Sequence, residues 1–244
     1  MARFFAAPPQ WNPDSVALDA WEARHACEVL RLKTGDLLEV FDGRGRRARG
    51  RLAQVTRQGA VVRIEEVWQA SPPRCRLTLI QALPKGKLME WIVEKATELG
   101  VSRIVPVVSD RCIVRVDPSE ADRKREKWER VALEACKQCA QDWLPEVWRP
   151  LPLMEALRAL DAHPGQMLLA SLRPGATRLE REWSEFSRPD HALLVVGPEG
   201  DFTSHEYENL VQRGAREITL GGRILRVETA ALSLVNLAAY ALEV

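Results

Sequence analysis

Val195-Val196-Gly197-Pro198-Glu199-Gly200-Asp201-Phe202-Thr203 and Leu220-Gly221-Gly222-Arg223-Ile224-Leu225-Arg226-Val227-Glu228-Thr229-Ala230 decide how this chain is read. Each begins where an apolar, strand-like run ends and opens into a helix-like one. Roughly one helix and one strand separate the two. Turns of this kind fall together at the C-terminal edge of a parallel sheet, where open α/β folds place their ligands.

The surrounding pattern agrees with such a sheet. Strand-like runs at Leu77–Ala82, Ile104–Val108, Met167–Ala170, Ala192–Val196 and Glu217–Leu220 alternate with helical stretches. These stretches are Leu88–Leu99, Pro118–Cys139, Ser204–Arg213 and Glu228–Leu242, the first ending at Gly100. That order predicts an α/β domain over residues 74–244. Residues 1–70 read differently, as a small β-rich unit. A short helical stretch at Ala20–Leu30 precedes strands at Leu37–Phe41, Arg47–Val55 and Ala60–Val67. Ala70-Ser71-Pro72-Pro73 has the composition of a linker.

In 244 residues that are 46% hydrophobic there is enough apolar surface for a real core and too much for disorder. No apolar run reaches the ~20 residues of a membrane span. Met1–Pro8 is too short and proline-broken for a secretory signal, so a cytoplasmic protein is expected. The five cysteines are odd in number and scattered, unlike a disulfide framework. Cys136-Lys137-Gln138-Cys139 has CxxC spacing, but no second pair accompanies it, and it lies inside a helical stretch. Small buried hydrophobes are the expectation there, and no metal site is expected.

The net charge of +1 conceals a local excess. Between Asp42 and Arg63, seven arginines (Arg44, Arg46, Arg47, Arg49, Arg51, Arg57 and Arg63) accompany a single acid, Asp42. Arg47, Arg49 and Arg51 alternate with small residues, so a strand would carry them on one face. A one-sided row of guanidiniums suits a phosphate backbone, although a merely solvated strand face has the same pattern.

Neither glycine segment is a dinucleotide fingerprint or a P-loop, since G-x-G-x-x-G and Gly-Lys-Ser/Thr are both absent. The glycines instead allow the backbone to approach a flat ligand closely. Arg226 is placed to stabilise negative charge on an acceptor oxygen. Glu199, Asp201 and Glu228 are the carboxylates available to take a proton. An Arg–carboxylate pair tying the loops together is the alternative.

Gly197-Pro198-Glu199-Gly200 followed by Leu220-Gly221-x-Arg223-Ile224-Leu225-Arg226-x-Glu228-Thr229-Ala230 resembles the RsmE family. These are SPOUT-class methyltransferases acting on uracil N3 in 16S ribosomal RNA. Glu94–Val101 with Ile104-Val105-Pro106 resembles the family's first helix–strand unit. His25-x-x-x-Val29-Leu30-Arg31, Gly35-Asp36 and Phe41-Asp42-Gly43 resemble its PUA-like RNA-binding β-barrel. The resemblance implies a trefoil-knotted parallel-sheet domain, S-adenosylmethionine as methyl donor, a homodimer packed partly through the last helix, and the small ribosomal subunit as partner. It implies a cofactor site at Leu169, Ser171, Gly197, Pro198, Glu199, Gly200, Leu220, Gly221, Ile224, Leu225 and Ala230. It implies Arg226 for charge stabilisation, Glu228 to orient it, and His25, Arg31, Arg44, Arg47, Arg49 and Arg51 for RNA. A ribose 2′-O-methyltransferase and a non-catalytic rRNA-binding assembly factor are the competing readings.

Two positions depart from the family pattern. Asp201 stands where the family usually has a second glycine, which is unfavourable if that position needs φ > 0. Lys137-Gln138-Cys139-Ala140-Gln141 replaces the family's Glu-Gln-x-x-Arg.

Overall fold

Between Arg46 and Gln69 the chain alternates small or apolar residues with charged ones, and in the computed structural model it folds back on itself as a hairpin. The strands are β4 (Arg46–Thr56) and β5 (Gly59–Gln69), paired antiparallel. Ala48, Gly50 and Leu52 are buried, which leaves Arg47, Arg49 and Arg51 on the opposite face, as the period of two requires. The described residues are 1–56, 58–179 and 189–244. Arg57, counted above in the arginine excess, lies outside them.

Three further strands complete the sheet around this hairpin: β1 (Arg3–Phe5), β2 (Ser15–Leu18) and β3 (Leu37–Phe41). The order is β1-β3-β4-β5-β2, with β1 parallel to β3 and every other pairing antiparallel. The predicted helical stretch is a short helix, α1 (Ala20–Arg24), that widens into a π-type turn over His25–Val29. Phe4, Val16, Leu18, Leu38, Val40, Leu52 and Val62 form the core beneath it. β1 and β2 were not legible in sequence, being three and four residues long.

This unit comprises Met1–Pro72 together with Leu133–Leu144. Buried charges hold the later segment in place. The Arg3 guanidinium pairs with the carboxylate of Asp142, donates to the Gln141 carbonyl at 3.1 Å, and pairs with Glu39 at 3.1 Å. Lys137 pairs with Glu22, both nearly devoid of solvent, and lies 4.7 Å from the Trp21 ring centroid. The Trp143 indole donates to the Ser71 carbonyl at 3.1 Å.

The second unit comprises Pro73–Ala132 and Pro145–Val244. Its sheet contains β6 (Arg76–Ala82), β7 (Arg103–Val108), β8 (Glu146–Val147), β9 (Leu151–Pro152), β10 (Gln166–Ala170), β11 (Thr177–Arg178), β12 (His191–Val196) and β13 (Arg216–Thr219). All its pairings are parallel, in the order β11-β13-β10-β12-β6-β7-β8, with β9 also on β7. The central strands are buried apolar runs such as Ala192–Val196, as expected of a parallel sheet covered on both faces. The helices are α2 (Leu88–Glu98), α3 (Pro118–Cys139, of which the part up to Ala132 belongs to this unit), α4 (Leu153–Leu160), α5 (Ser204–Gln212) and α6 (Val227–Leu242). α6 follows β13 near one edge yet packs on β6, β12 and α2 in the middle of the sheet.

Candidate active site

β13, β10, β12 and β6 are neighbours, and the loops leaving their carboxyl ends enclose a cavity of about 520 Å³. The strand order reverses here: the chain leaves β6 towards β7 and β8, then returns to β10 and β12 on β6's other side. A reversal of this kind opens a crevice at the ends of the strands. Lys85 and Leu88 enter it after β6, Ser171 and Leu172 after β10, Gly197–Glu199 and Asp201 after β12. Leu220, Gly221 and Arg223–Glu228 enter it after β13.

The loop after β12 is tightly held. Asp201 adopts φ 59°, the left-handed conformation that a glycine takes without strain. Its amide donates to the Pro198 carbonyl at 2.9 Å. The Arg111 guanidinium donates to the carbonyls of Gly200 and Phe202 at 3.0 and 3.3 Å. Glu199 accepts from the Lys85 amide at 2.9 Å, joining this loop to the one after β6. Thr203 and Glu206 close a capping box that starts α5.

The loop after β13 is held more lightly. Gly221 takes φ 120°, accessible in practice only to glycine, and Thr219 spans it through bonds of 3.1 and 3.3 Å. Ile224 is 82% exposed. Arg226 caps α6, and Glu228 lies in its first turn. Among the described residues neither Arg223, Arg226 nor Glu228 has a side-chain hydrogen bond or ion pair. The sequence reading has Glu228 orienting Arg226, but no such pair forms here. Glu199 and Asp201 are engaged by protein donors, whereas Glu228 has none among the described residues.

Ser171, Gly197, Pro198, Glu199, Leu220, Gly221, Ile224, Leu225, Arg226, Glu228 and Ala230 line the cavity. Leu169 does not, being fully buried within β10, and Gly200 turns its carbonyl to Arg111 instead. Sequence reasoning missed Lys85, Leu88, Leu172 and Thr219. Their shared signal is position at or after the carboxyl end of a strand, which needs the strand order to be useful.

In the first unit the arginine row is on one face but is not a free positive charge. Arg49 pairs with Glu66 at 2.7 Å, its direct cross-strand neighbour, and Arg51 with Glu65 at 2.8 Å. Arg47 lies 3.7 Å from Asp142 and 5.3 Å from the Trp68 ring centroid. The charge of this row is thus compensated by carboxylates distant in sequence. Exposed pairs contribute only about 0.2–1 kcal/mol, so a phosphate can displace the carboxylates. Arg44 and Arg31 are exposed, the latter at φ 57°. The His25 ring packs between Phe4 and Trp21, with Nδ1 lacking a partner. Cys136 is completely buried, and burial pushes its thiol up to about 12, which disfavours thiolate chemistry.

The model of the RNA methyltransferase domain matches residues 71–239, and that of the RNA methyltransferase PUA domain matches residues 18–65. The ribosomal RNA small subunit methyltransferase E of Synechocystis is 32% identical over 237 residues, spanning 96% of this chain and 77% of that relative. The chain belongs to the ribosomal RNA small subunit methyltransferase E family. A solved member from Neisseria gonorrhoeae, bound to S-adenosyl methionine, is 31% identical with a TM-score of 0.84, covering 98% of this chain and 97% of that one. A Legionella pneumophila methyltransferase in complex with S-adenosyl methionine is 28% identical with a TM-score of 0.86, over 99% and 98%. The family fold accounts for the two units, one all-parallel and one PUA-like, and places the cavity in the methyltransferase domain.

Proposed function

We propose that this protein transfers a methyl group from S-adenosylmethionine to N3 of a uridine in 16S ribosomal RNA of the small subunit. Unpaired Arg226 at the mouth of the cavity carries the reading. Uracil N3 becomes nucleophilic only as its proton leaves, and charge then develops on the flanking carbonyl oxygens. A guanidinium at this position, with no competing partner, stabilises that charge.

The cavity fits the donor on physical grounds. Its volume is that of a small-molecule site, and it is walled by Leu220, Leu225, Ile224 and glycine backbone with no phosphate cradle. Backbone amides and carbonyls of 197–199, 220–221 and 223–225 would hold an adenine edge, while Glu228 is available to a cationic group or a proton. The bound donor supplies an already activated sulfonium methyl. The chain's own residues then align the acceptor and exclude water.

The same reading assigns RNA binding to residues 1–70, through His25, Arg31, Arg44, Arg47, Arg49 and Arg51, and methyl transfer to residues 74–244. It includes the trefoil knot, consistent with α6 returning from β13 to pack on β6 and β12. It also includes a homodimer: Leu237 and Tyr240 on α6 are 42% and 87% exposed. The cytoplasm, where ribosomal subunits assemble, is the proposed location. No described helix is long and apolar enough to cross a membrane.

Labelled S-adenosylmethionine and unmodified small subunits test the activity directly, followed by nucleoside identification. Label in 3-methyluridine is expected. Label on a ribose oxygen would assign the 2′-O reaction, and binding of donor without transfer would assign an assembly factor. Replacing Arg47, Arg49 and Arg51 together by Ala should weaken RNA binding. The slope of log K against log salt should become shallower by about 0.7–0.9 for each phosphate that is no longer neutralised. An unchanged slope would mean that the arginines serve only their carboxylate partners.

A further inference from the structure

Asp201 breaks the family's glycine pattern, and the structure contains its compensation. The Asp201 carboxylate accepts from the Tyr207 hydroxyl, 2.9 Å to Oδ1 and 3.1 Å to Oδ2, and from the Phe202 amide at 2.8 Å. Tyr207 is one helical turn away on α5 and is 2% exposed. Its ring is held edge-on by Phe202 at 5.9 Å and covered by the Arg173 guanidinium at 5.0 Å. Burial raises its pKa, so the phenol stays protonated and remains a donor.

The network extends beyond this pair. Ser171 donates to Glu217 Oε2 at 2.7 Å, its oxygen accepts from the Arg173 amide at 3.1 Å, and Arg173 reaches Glu217 Oε1 at 3.3 Å. Tyr207 therefore joins the loop after β12 to the loop after β10 through Arg173, which also reaches Glu217 on β13. Asp201 and Ser171 both line the cavity, whereas Tyr207 stands behind them.

We propose that Tyr207 is a positioning residue for the methyl-donor site: its hydroxyl holds Asp201 in the left-handed conformation, doing for this chain what a glycine's freedom does at that position. Residues 197–199 then present their backbone to the cavity in one arrangement. Without the hydroxyl, an aspartate has reason to leave φ > 0, and the 197–201 backbone turns with it. With glycine at 201, the hydroxyl is not needed to keep that backbone shape. The inference rests on the cavity being the S-adenosylmethionine site.

Tyr207→Phe, Asp201→Gly and the double variant test it, using the full-length protein. Calorimetric titration with S-adenosylmethionine reads the site, and amide hydrogen exchange over 197–203 reads the loop without any ligand. Tyr207→Phe keeps the ring and its packing, and loss of a buried hydrogen bond to a charge should weaken donor binding about tenfold and speed loop exchange comparably. Asp201→Gly/Tyr207→Phe should recover both to within about threefold, since the residue needing restraint is gone. Unchanged binding and exchange in Tyr207→Phe would overturn the proposal, as would a double variant no better than Tyr207→Phe. If the wild-type protein binds no donor while Tyr207→Phe still loosens the loop and the double variant tightens it, the donor assignment fails and the coupling stands.

Discussion

Arg226→Ala lowers the rate of methyl transfer by about 10²–10³-fold while leaving donor affinity within a few-fold, the expectation for a group that stabilises charge present only in the transition state. Arg226 sits at the N-cap of α6 with no side-chain partner among the described residues, so removing it leaves no buried charge uncompensated. Folding stability should be almost unaltered. Arg226→Lys keeps the charge but loses the planar fork, and should fall between the two. Single-turnover rates at saturating donor, set beside donor Kd, separate the two effects. A variant that binds the donor tenfold more weakly and turns over normally once saturated would make Arg226 a binding residue instead.

Lys137→Ala has its large effect on folding. The lysine's ammonium lies between Glu22 and Glu134, and its side chain and that of Glu22 are 6% and 3% exposed. Removing one member of a buried pair strands the other, at a cost of about 3–5 kcal/mol. One oxygen of Glu22 already lacks a hydrogen-bond partner. Burial raises the Glu22 pKa above its ordinary 4.5, and Lys137 is the main force opposing that rise. Without the lysine the folded carboxyl holds its proton more tightly than the unfolded one. Stability of the variant then falls as pH rises through the raised pKa, so the loss should be larger at pH 8 than at pH 5. Urea melts at both pH values measure this. Glu22→Leu/Lys137→Met should regain most of the stability, because apolar groups of similar size often replace a buried pair without loss. A single variant within about 1 kcal/mol of wild type at pH 8 would show that Glu22 reaches water or another partner.

Lys137 also shows why part of this site was closed to sequence reading. In the chain it looked like the loss of an acid from a family motif. In the fold its partner is Glu22, far away in sequence, and its task is to bind Leu133–Leu144 to the first unit. The arginine row repeats the lesson. That Arg47, Arg49 and Arg51 share a face follows from β4 alone. That Glu65 and Glu66 face two of them depends on the register of β4 against β5, including an irregularity beside Arg49. At the cavity, the glycine segments were legible as strand-to-helix turns. Lys85, Leu172 and Tyr207 were not, because their part in the site depends on which loops the strand order brings together.

The sequence by itself determined the elements: the carboxyl ends of β6, β7, β10 and β12, β13 to within one residue, the full extent of α3, and the two glycine turns. Those follow from side-chain period, capping and glycine's freedom, which act over a few neighbouring residues. Only the tertiary structure decided which strands became neighbours, and with them the cavity, the Glu22–Lys137 pair and the Tyr207 hydroxyl on Asp201. Such pairings join residues whose separation along the chain carries no periodic trace, and burial then determines what each is worth.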